Sequence, residues 1–428
     1  MEINTVNSIR GKANIPGDKS ISHRSAIISS LTENSVAIKN FLFSEDCMNT
    51  LEVLRKLGVS IEKINGSIIV HGKGIKKYRE PEDILYVGNS GTTIRLLSGV
   101  LCASGFNSIL SGDSSINKRP MGRIIQPLRE MGAKIFGRDN DTRAPIIILK
   151  GEKLKGKKFV IDISSAQVKS CIALAGLFAE GATEIIQPEV SRDHTERMLE
   201  FFNAEIEYDG KYTRIVPGKK LEGRNIFIPG DISSAAYFVV ASLILKKSRL
   251  VLKDIGINPT RSHFLDILMK MGANIEIKNR RIMNNEEIAD IESSSSFLKG
   301  LKIEKCHIPN IIDEIPVLCV AAAFASGETV IEGAGELRFK ESDRLNSITS
   351  QFRKAGVEVY ESGDCLNING NSKLKPEGGR FESFGDHRIA MSLAILGLKS
   401  SGTFRIMNSE CIDTSFPGFK YELKNLVH

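Results

Sequence analysis

The segment GDKSISHR, which begins at Gly17, places a lysine, a serine and an arginine where an apolar helical run starts. A phosphate-binding P-loop needs its lysine directly after a glycine, and Asp18 separates the two here. Lys19, Ser20 and Arg24 are instead spaced along the first turns of a helix. Backbone N–H groups at a helix N-terminus bind phosphate or carboxylate, and nearby cations strengthen that binding. The segment therefore predicts an anion site of another kind than a nucleotide loop.

Each of five later apolar segments also opens with residues able to hold an anion. These residues are Asn89, Ser90, Gly91 and Thr92; Ser164, Ser165 and Gln167; Ser233 and Ser234; Asp313 and Glu314; and Asp386, His387 and Arg388. Small polar residues at a helix start are also ordinary N-caps, which is the simpler interpretation of any one of them. Capping does not explain Lys19, Arg24 and Arg388, because a cation near a helix N-terminus is unfavourable unless an anion compensates it. We predict that several helix starts converge on one small, highly anionic ligand.

Two further segments add basic residues close to a helix start. GDSSINKRPMGR places Lys118 and Arg119 before a proline, which predicts the first turn of a helix. GELRFKESDRL would place Lys340 and Arg344 on one helix face, with Glu341 one residue further round. Such a like-charge pair is mildly unfavourable unless an anion lies between its members. A solvated charged face is the alternative interpretation of this second segment.

The elements that must position these residues recur along the chain. The apolar helices start near residues 19, 91, 164, 233, 313 and 386, a period of about 70 to 80 residues that exceeds the usual solenoid range. In the first five repeats an amphipathic helix follows, ends at a glycine or at Asn203, and leads into an alternating strand. The first helix of each repeat is apolar on nearly all sides and should be buried. The pattern predicts six repeated α/β units.

A chain of 428 residues is too long for one ordinary core, so we expect two domains. Pro229 and Gly230 mark a linker before the fourth buried helix, and a Pro-Gly pair precedes the first helix in the same way. We predict one domain at 20–230, with repeats one to three. The second domain, 1–19 plus 231–428, would hold repeats four to six, with the active site in the cleft between the two.

Composition excludes several classes of protein. The chain is 41% hydrophobic and 25% charged, and no apolar run reaches the roughly 18 residues that span a bilayer. The N-terminal segment has no signal-peptide core. The seven cysteines show no C-x-x-C spacing, and the histidines show no metal-ligand pairing. The net charge of +7 is spread over short basic runs rather than a nucleic-acid-binding stripe. We expect a reduced, cytoplasmic monomer without cofactor, metal, membrane or nucleic-acid partner.

The motifs GDKSISHR, GNSGTTIRLL, GDSSINKRP, SSAQVKS, SRDHTERML, DEIPVL, FKESDR, FGDHRIAM and SFP, taken in order, resemble those of one known family. The chain resembles the 5-enolpyruvylshikimate-3-phosphate synthases (3-phosphoshikimate 1-carboxyvinyltransferases), within the enolpyruvyl transferases, from about residue 10 to about 420. The resemblance implies a two-domain inside-out α/β barrel with three repeated units in each domain.

The resemblance also implies an activity in the shikimate pathway of aromatic amino acid biosynthesis. The enolpyruvyl (carboxyvinyl) group of phosphoenolpyruvate would pass to the 5-hydroxyl of shikimate 3-phosphate by addition and elimination, through a tetrahedral intermediate, with release of phosphate. The implied shikimate 3-phosphate ligands are Lys19, Ser20, Arg24, Ser164, Ser165, Gln167, Arg192, Asp313 and Lys340. The implied phosphoenolpyruvate ligands are Lys19, Asn89, Gly91, Arg119, Gln167, Arg344 and Arg388. The implied catalytic residues are Asp313, Glu341 and Lys19.

Such a reaction needs a base at the attacking hydroxyl and an acid at the methylene carbon. Asp313 and Glu341 can supply these, provided that their environments separate their pKa values. Whether Asp313 or Lys19 is the principal base stays open at this point. Arginine forks and lysines would stabilise an intermediate that carries two phosphates and a carboxylate, and no metal is needed. Closure of two domains would exclude water from the site.

Two departures from the family pattern leave the response to glyphosate open. Thr414 stands where some members have a lysine that contacts phosphoenolpyruvate, and Leu96 stands where another branch has a proline. One alternative is the sister transferase that uses UDP-N-acetylglucosamine, whose reactive cysteine is replaced here by Ser114. A non-catalytic anion-binding homologue is a second alternative, and the presence of both Asp313 and Glu341 speaks against it.

Overall fold

A computed structural model describes all of residues 1–428, and the chain divides into two compact units. Unit 1 consists of Met1–Pro16, Pro229–Arg281 and Glu287–His428, and unit 2 consists of Gly17–Ile228 and Ile282–Glu286. The long stretch of unit 2 begins at Gly17 and ends at Ile228, whereas the expected domain begins at 20 and ends at 230. The placement of the active site in a cleft between two domains stays a prediction.

Most of the helices are 8 to 13 residues long, and the two shortest are single turns. They are α1 Lys19–Ser30, α2 Glu45–Lys56, α3 Gly91–Leu101, α4 Gly122–Glu130, α5 Arg138–Asp141, α6 Ala166–Gly176, α7 His194–Phe201, α8 Ile232–Ile244, α9 His263–Lys270, α10 Ile308–Ile311, α11 Ile315–Ala323, α12 Arg344–Lys354, α13 His387–Gly397 and α14 Phe419–Leu426.

The strands are short and spread along the whole chain. The first eleven are β1 Glu2–Ile3, β2 Arg10–Ala13, β3 Ser35–Lys39, β4 Ser60–Ile64, β5 Ser67–His71, β6 Leu85–Tyr86, β7 Ser108–Ser111, β8 Lys134–Gly137, β9 Arg143–Leu149, β10 Lys158–Val160 and β11 Thr183–Ile186. The others are β12 Glu205–Tyr208, β13 Tyr212–Val216, β14 Ile226–Phe227, β15 Arg249–Gly256, β16 Asn274–Met283, β17 Glu286–Ser294, β18 Lys302–Ile303, β19 Gly327–Ile331, β20 Glu358–Ser362, β21 Cys365–Gly370, β22 Gly379–Glu382 and β23 Phe404–Met407.

Five of the six sheets follow one plan, which agrees with the five sequence repeats that continue into an amphipathic helix and a strand. Five are four-stranded, with the orders β14-β3-β5-β4, β6-β7-β9-β8, β10-β11-β13-β12, β2-β15-β17-β16 and β18-β19-β21-β20, and the sixth is β1-β23-β22. In each four-stranded sheet the first two strands are parallel, and a hairpin adds the other two. A parallel pair requires a crossover connection, and the buried helices α3, α6 and α11 supply it for the pairs β6-β7, β10-β11 and β18-β19.

The chain completes two of these sheets from a distant segment. Strand β2, near the N-terminus, pairs in parallel with β15, so that residue Gly11 lies opposite Leu250. Strand β14 pairs in parallel with β3, and its Ile226 lies opposite Ile38. The first strand of repeat four therefore comes from the start of the chain, and the first strand of repeat one comes from the end of repeat three. The pairing of β2 with β15 explains why the N-terminal stretch Met1–Pro16 belongs to unit 1.

The buried helices are those that the sequence predicts to be apolar on all sides. Every residue of α8 and α11 is buried, and only the first two residues of α1 are partly exposed. The six buried helices begin within two residues of the positions expected from the sequence. Because apolar side chains surround each helix axis, burial on every face is their lowest-energy arrangement.

The amphipathic helices end as their sequences predict. Gly58, Gly132, Gly272 and Gly356 follow α2, α4, α9 and α12 with positive φ, and Asn203 follows α7 with φ 65°. Left-handed backbone is accessible to glycine and, less readily, to asparagine, so each residue reverses the chain from the helix into the next strand. No single helix is long and apolar enough to cross a membrane; the bent pair Lys305–Ile311 and Ile315–Ala323 meets that test by length and composition only.

Candidate anion-binding and catalytic site

Polar side chains cap the starts of the three buried helices in unit 2. Ser90 and Ser165 were expected at these positions, and Asp18 was not. Asp18 Oδ1 accepts a hydrogen bond from the Ile21 N–H at 2.8 Å, so the residue that breaks the P-loop pattern caps α1. Ser90 caps α3, since its Oγ accepts from the Thr93 N–H at 3.1 Å. Ser165 caps α6 in the same way. Asp18 and Ser90 are therefore caps that do not belong to the predicted ligand set, whereas Ser165 is both a cap and a predicted ligand.

Lys19 is the first residue of α1 and forms an ion pair with Asp46 in the first turn of α2. The Lys19 side chain keeps 19% of its surface exposed, whereas Asp46 is 9% exposed. Asp46 holds the ammonium group in place and offsets the unfavourable interaction of the lysine with the helix dipole. No local sequence pattern identifies Asp46, because its contact with Lys19 joins residues of two different helices.

Arg24 is buried and is held by hydroxyl groups. Its Nε donates to Thr195 Oγ1 at 2.7 Å and its Nη2 to Ser170 Oγ at 3.0 Å, while Nη1 donates to the Ser20 carbonyl at 3.1 Å. Ser170 lies on α6 and Thr195 on α7, so three helices fix this guanidinium. The arrangement orients Arg24 rigidly beside Ser20, as a binding site for a phosphate or carboxylate requires.

Arg95, which sequence analysis did not assign to the site, connects two of the predicted ligands in unit 2. Its Nη1 donates to Gln167 Oε1, and Gln167 Nε2 donates to Thr92 Oγ1 at 3.0 Å. A Cβ atom added to Gly91 would lie 3.4 Å from Arg95 Nη1 and 3.1 Å from Arg119 Nη1. The absent side chain therefore lets two guanidiniums approach the start of α3. Arg95 follows Gly91 by one helical turn, and that spacing was the signal that could have identified it.

Arg119 donates to the side-chain oxygen of Asn89, which brings two predicted phosphoenolpyruvate ligands together. Its backbone, however, is extended, with φ −74° and ψ 148°, and α4 begins only at Gly122. The expectation that the KRP segment forms the first turn of a helix is therefore wrong. The residue before a proline avoids helical torsion angles, and this restriction outweighs the preference of proline for a helix start.

A fully buried ion pair supports the loop that carries Arg192. Lys169 Nζ lies 2.6 Å from Glu196 Oε1, and both side chains are only 1% exposed. The same ammonium group donates to the Ser191 carbonyl at 3.4 Å, directly before Arg192. Ser164, the other predicted ligand of this region, accepts a hydrogen bond from the backbone of Glu189 at 2.8 Å. These contacts bind the Arg192 loop to α6.

Arg344 is the centre of the candidate site in unit 1. It is 1% exposed and donates from Nε to Asp386 Oδ2 at 2.8 Å and from Nη1 to Asp313 Oδ1 at 3.2 Å; Nη2 donates to Glu341. Burial disfavours its charged form, but the carboxylates of Asp386, Glu341 and Asp313 outweigh burial and raise its pKa above the ordinary arginine value. One guanidinium thus orients both predicted proton-transfer carboxylates.

Arg388, in the first turn of α13, approaches Asp313 from another side. Its Nη1 donates to the Asp313 carbonyl at 2.8 Å, and its Nε lies 3.6 Å from Asp313 Oδ1. Burial opposes its charge, and the carboxylate of Asp313 raises its pKa above the ordinary value. Arg388 also lies 3.9 Å from Glu314, whose carboxylate accepts from Ser233. Asp313 is therefore fixed by two guanidiniums through both its backbone and its side chain.

Lys340 and Glu341 do not lie on a helix, which corrects the helical-face interpretation of the GELRFKESDRL segment. Lys340 has extended torsion angles, and α12 begins at Arg344 with Asp343 as its N-cap. Asp343 Oδ1 accepts from the Asn346 N–H at 3.1 Å, and this cap fixes the helix start at Arg344, after Lys340 and Glu341. Glu341 still reaches Arg344, now from the preceding loop.

One group of side chains could in principle hold a metal ion. Glu304, Cys306 and His307 have possible metal-ligand atoms within 4.8 Å of one another, but no predicted site residue belongs to this group.

Thr414, which stands where some relatives have a lysine, donates to the Cys411 carbonyl at 2.7 Å and lies 3.5 Å from His387 Nδ1. The threonine hydroxyl is thus engaged within the chain.

Comparisons with known proteins agree over the full length. The model of the EPSP synthase (3-phosphoshikimate 1-carboxyvinyltransferase) family matches residues 3–423. The 3-phosphoshikimate 1-carboxyvinyltransferase of Desulforudis audaxviator is 48% identical over 427 residues, covering 100% of this chain and 99% of the relative. That of Petrotoga mobilis is 47% identical and covers 98% and 97%. The EPSP synthase structure from Acinetobacter baumannii superposes with a TM-score of 0.89 at 42% identity, covering 99% of this chain and 97% of that one.

Six α/β repeats with guanidinium and carboxylate clusters at the starts of buried helices define a protein suited to small anionic ligands. The matches identify the family. The chain belongs to the EPSP synthase (3-phosphoshikimate 1-carboxyvinyltransferase) family. The expected inside-out α/β fold is confirmed by the EPSP synthase structures.

Proposed function

We propose that this protein transfers the enolpyruvyl group of phosphoenolpyruvate to the 5-hydroxyl of shikimate 3-phosphate, as the names of its relatives indicate. One observation carries the proposal furthest. Arg344 holds Asp313 and Glu341 on a single buried guanidinium, and Arg388 holds Asp313 from a second direction. Two candidate proton-transfer groups beside two arginines are the set that an alcohol addition to an anionic enol ether requires.

In the addition step, the 5-hydroxyl oxygen bonds to C2 of phosphoenolpyruvate. Asp313 takes the hydroxyl proton, and Glu341 gives a proton to the methylene carbon, which becomes a methyl group. In the elimination step, the bond between C2 and the phosphate oxygen breaks, a methyl proton returns to Glu341, and the proton on Asp313 leaves with phosphate. Both carboxyl groups return to their starting states, so the two residues suffice for the cycle. Lys19 is the alternative base at the hydroxyl.

Arg344 and Arg388 would bind the phosphoenolpyruvate anion in this scheme. Guanidinium groups match phosphate and carboxylate in a bidentate geometry, which positions the ligand as well as attracting it. In the absence of ligand the carboxylates of Asp313, Glu341 and Asp386 balance the charge of Arg344. Binding of the anion would therefore redistribute contacts that already exist, so that little reorganisation is needed at the reacting atoms.

The residues of unit 2 supply the remaining proposed ligands. Lys19, Asn89, Gly91, Arg119 and Gln167 would complete the phosphoenolpyruvate site, and Lys19, Ser20, Arg24, Ser164, Ser165, Gln167 and Arg192, with Asp313 and Lys340 from unit 1, would bind shikimate 3-phosphate. The rigid support of Arg24 by Thr195 and Ser170 favours its role as a phosphate ligand. We further propose that the enzyme acts as a monomer in the cytoplasm.

Phosphate release from phosphoenolpyruvate tests the proposal, with shikimate 3-phosphate and UDP-N-acetylglucosamine offered as acceptors in parallel reactions. We expect release with shikimate 3-phosphate alone. Release with the sugar nucleotide alone would assign the protein to the sister activity. No release with either acceptor, from protein that binds shikimate 3-phosphate by calorimetry, would favour a binding protein without catalysis.

A further inference from the structure

His23 lies within the GDKSISHR motif but has no place in the ligand scheme above. It is completely buried on α1, four residues after Lys19 and directly before Arg24. A buried histidine among basic neighbours is costly to charge, so any role of His23 must be one that the neutral ring can perform. Its contacts identify that role.

A chain of hydrogen bonds runs from His23 to the start of α3. His23 Nδ1 lies 2.7 Å from Thr50 Oγ1, and Thr50 Oγ1 lies 2.6 Å from Thr93 Oγ1. The Thr93 hydroxyl donates to Ser90 Oγ at 2.6 Å, and Ser90 is the N-cap of α3. All four side chains are buried, and they come from α1, α2 and the start of α3.

The hydrogen bond from Thr93 to Ser90 sets the donors and acceptors in the rest of this chain. Because the Thr93 hydroxyl gives its proton to Ser90, Thr93 Oγ1 accepts from Thr50 at 2.6 Å, a much shorter contact than the 3.5 Å from Thr50 Oγ1 to the Asp46 carbonyl. With the Thr50 proton on that shorter contact, Thr50 Oγ1 accepts from His23. His23 is therefore the neutral tautomer with its proton on Nδ1. Its Nε2 is buried without a hydrogen-bond partner. Burial lowers the pKa of His23 well below its ordinary value, and the charges of Lys19 and Arg24 lower it further.

We propose that His23 is a positioning residue, which sets the start of α3 with Gly91 relative to Lys19 through the Thr50–Thr93–Ser90 hydrogen-bond chain. The inference rests on the proposed function, which assigns Gly91 to phosphoenolpyruvate alone and Lys19 to both substrates. Lys19 is also held by its own ion pair with Asp46, whereas the start of α3 depends on this chain. Arg24, assigned to shikimate 3-phosphate alone, is held by Thr195 and Ser170 independently of this chain. Loss of His23 should therefore weaken phosphoenolpyruvate binding more than shikimate 3-phosphate binding.

Substitutions of His23 test this through separate KM values for the two substrates. His23→Leu introduces an apolar side chain of comparable size and removes the hydrogen-bond donor. We expect the KM for phosphoenolpyruvate to rise about five- to tenfold in this variant, because that is the effect of losing one buried hydrogen bond. The KM for shikimate 3-phosphate should change by less than about twofold on the same scale. His23→Asn should restore the wild-type KM, because its amide N–H can donate from near the position of Nδ1.

Two more variants keep the test decisive. Thr50→Val breaks the chain in its middle with little change of shape, and it should reproduce the effect of His23→Leu. Ser29→Ala is the matched control, because Ser29 is a buried hydroxyl on the same helix that makes no hydrogen bond. Equal increases in both KM values, unchanged KM values in folded His23→Leu, or failure of His23→Asn to rescue would each overturn the proposal. Absence of activity in the wild-type protein would instead contradict the proposed function itself.

Discussion

Arg344 donates from Nε to Asp386 Oδ2 at 2.8 Å, and the two side chains are 1% and 0% exposed. Asp386 also caps α13, since its Oδ1 accepts from the Arg388 N–H at 2.9 Å. One carboxylate therefore ties together the two arginines proposed to bind phosphoenolpyruvate. Both guanidiniums also contact Asp313, so these residues form one network whose members can be changed one at a time.

Removal of the Arg344 charge should destabilise the fold. Arg344→Met leaves three carboxylates without their shared cation, and breaking a buried ion pair costs about 3–5 kcal/mol. We expect a clear fall in the melting temperature of the variant, measured by calorimetry. Arg338→Met is the control, because Arg338 pairs with Asp343 and Glu361 at the surface, where ion pairs contribute about 0–1 kcal/mol. Equal shifts in the two variants would contradict the central place of Arg344.

Asp313→Asn should abolish turnover while shikimate 3-phosphate binding persists. Asparagine keeps an oxygen that can accept from Arg344 but cannot take the hydroxyl proton, and loss of a general base costs about 10²- to 10⁴-fold in rate. Phosphate release measures the rate, and calorimetry measures the dissociation constant of shikimate 3-phosphate. An equal loss of binding and rate would assign Asp313 to binding alone and leave Lys19 as the base.

Glu341→Gln should lower kcat about 10²-fold or more, because glutamine cannot exchange a proton with the methylene carbon. The amide oxygen can still accept from Arg344, so the melting temperature should stay close to that of the wild type. Glu361→Gln is the matched control, since Glu361 pairs with the exposed Arg338. Exchange of solvent deuterium into the vinyl methylene group of the product offers a direct readout. Full activity of Glu341→Gln would exclude Glu341 as the acid.

Gly91→Ala should raise the KM for phosphoenolpyruvate about tenfold with a smaller change in kcat, since small displacements of binding groups are amplified in ligand positioning. The new methyl group would lie 3.1 Å from Arg119 Nη1, so the guanidinium must shift by a few tenths of an ångström. Gly105→Ala is the control, because a Cβ atom there meets nothing within 4 Å. An unchanged KM would show that Arg119 moves without consequence.

The stability of the protein should depend on pH through His23. Its pKa in the folded chain lies below that of an unfolded histidine, about 6.5, so the unfolded chain binds a proton first as the pH falls. The contribution is complete above about pH 6.5 and is lost below it, by at most about 1.4 kcal/mol per pH unit. Lys19 and Arg24 oppose protonation, and Asp18 favours it. His23→Asn should flatten the decrease in melting temperature between pH 7.5 and 5.5, whereas Ser29→Ala should retain it.

Local patterns in the sequence were sufficient for much of the fold. The apolar runs that open at Lys19 and Gly91 became buried helices at the expected positions, and Asn203 ended its helix in left-handed backbone. Helix periodicity, capping and the backbone freedom of glycine and asparagine depend on residues within a few positions of one another. Such features can therefore be predicted from the sequence without knowledge of the tertiary structure.

The same local rules were misleading where two of them competed. Lys340 and Glu341 were expected on a helix that instead begins at Arg344, and Arg119 was expected in a helical turn although the following proline holds it extended. At Lys340 and Glu341 the Asp343 cap outweighed the charge pattern. At Arg119 the restriction on the residue before a proline outweighed the preference of proline for a helix start. The assignment of site residues by family resemblance did not depend on these local structures.

Tertiary structure alone decided which side chains meet. Asp46 pairs with Lys19, and Asp386 accepts a hydrogen bond from Arg344. Thr50 accepts from His23. The partners in these three contacts are 27 to 42 residues apart along the chain. No sequence period encodes such contacts, because they arise when helices from different segments pack together and buried polar groups must find partners. The sequence determined which groups could do the chemistry, and packing determined which of them hold one another in place.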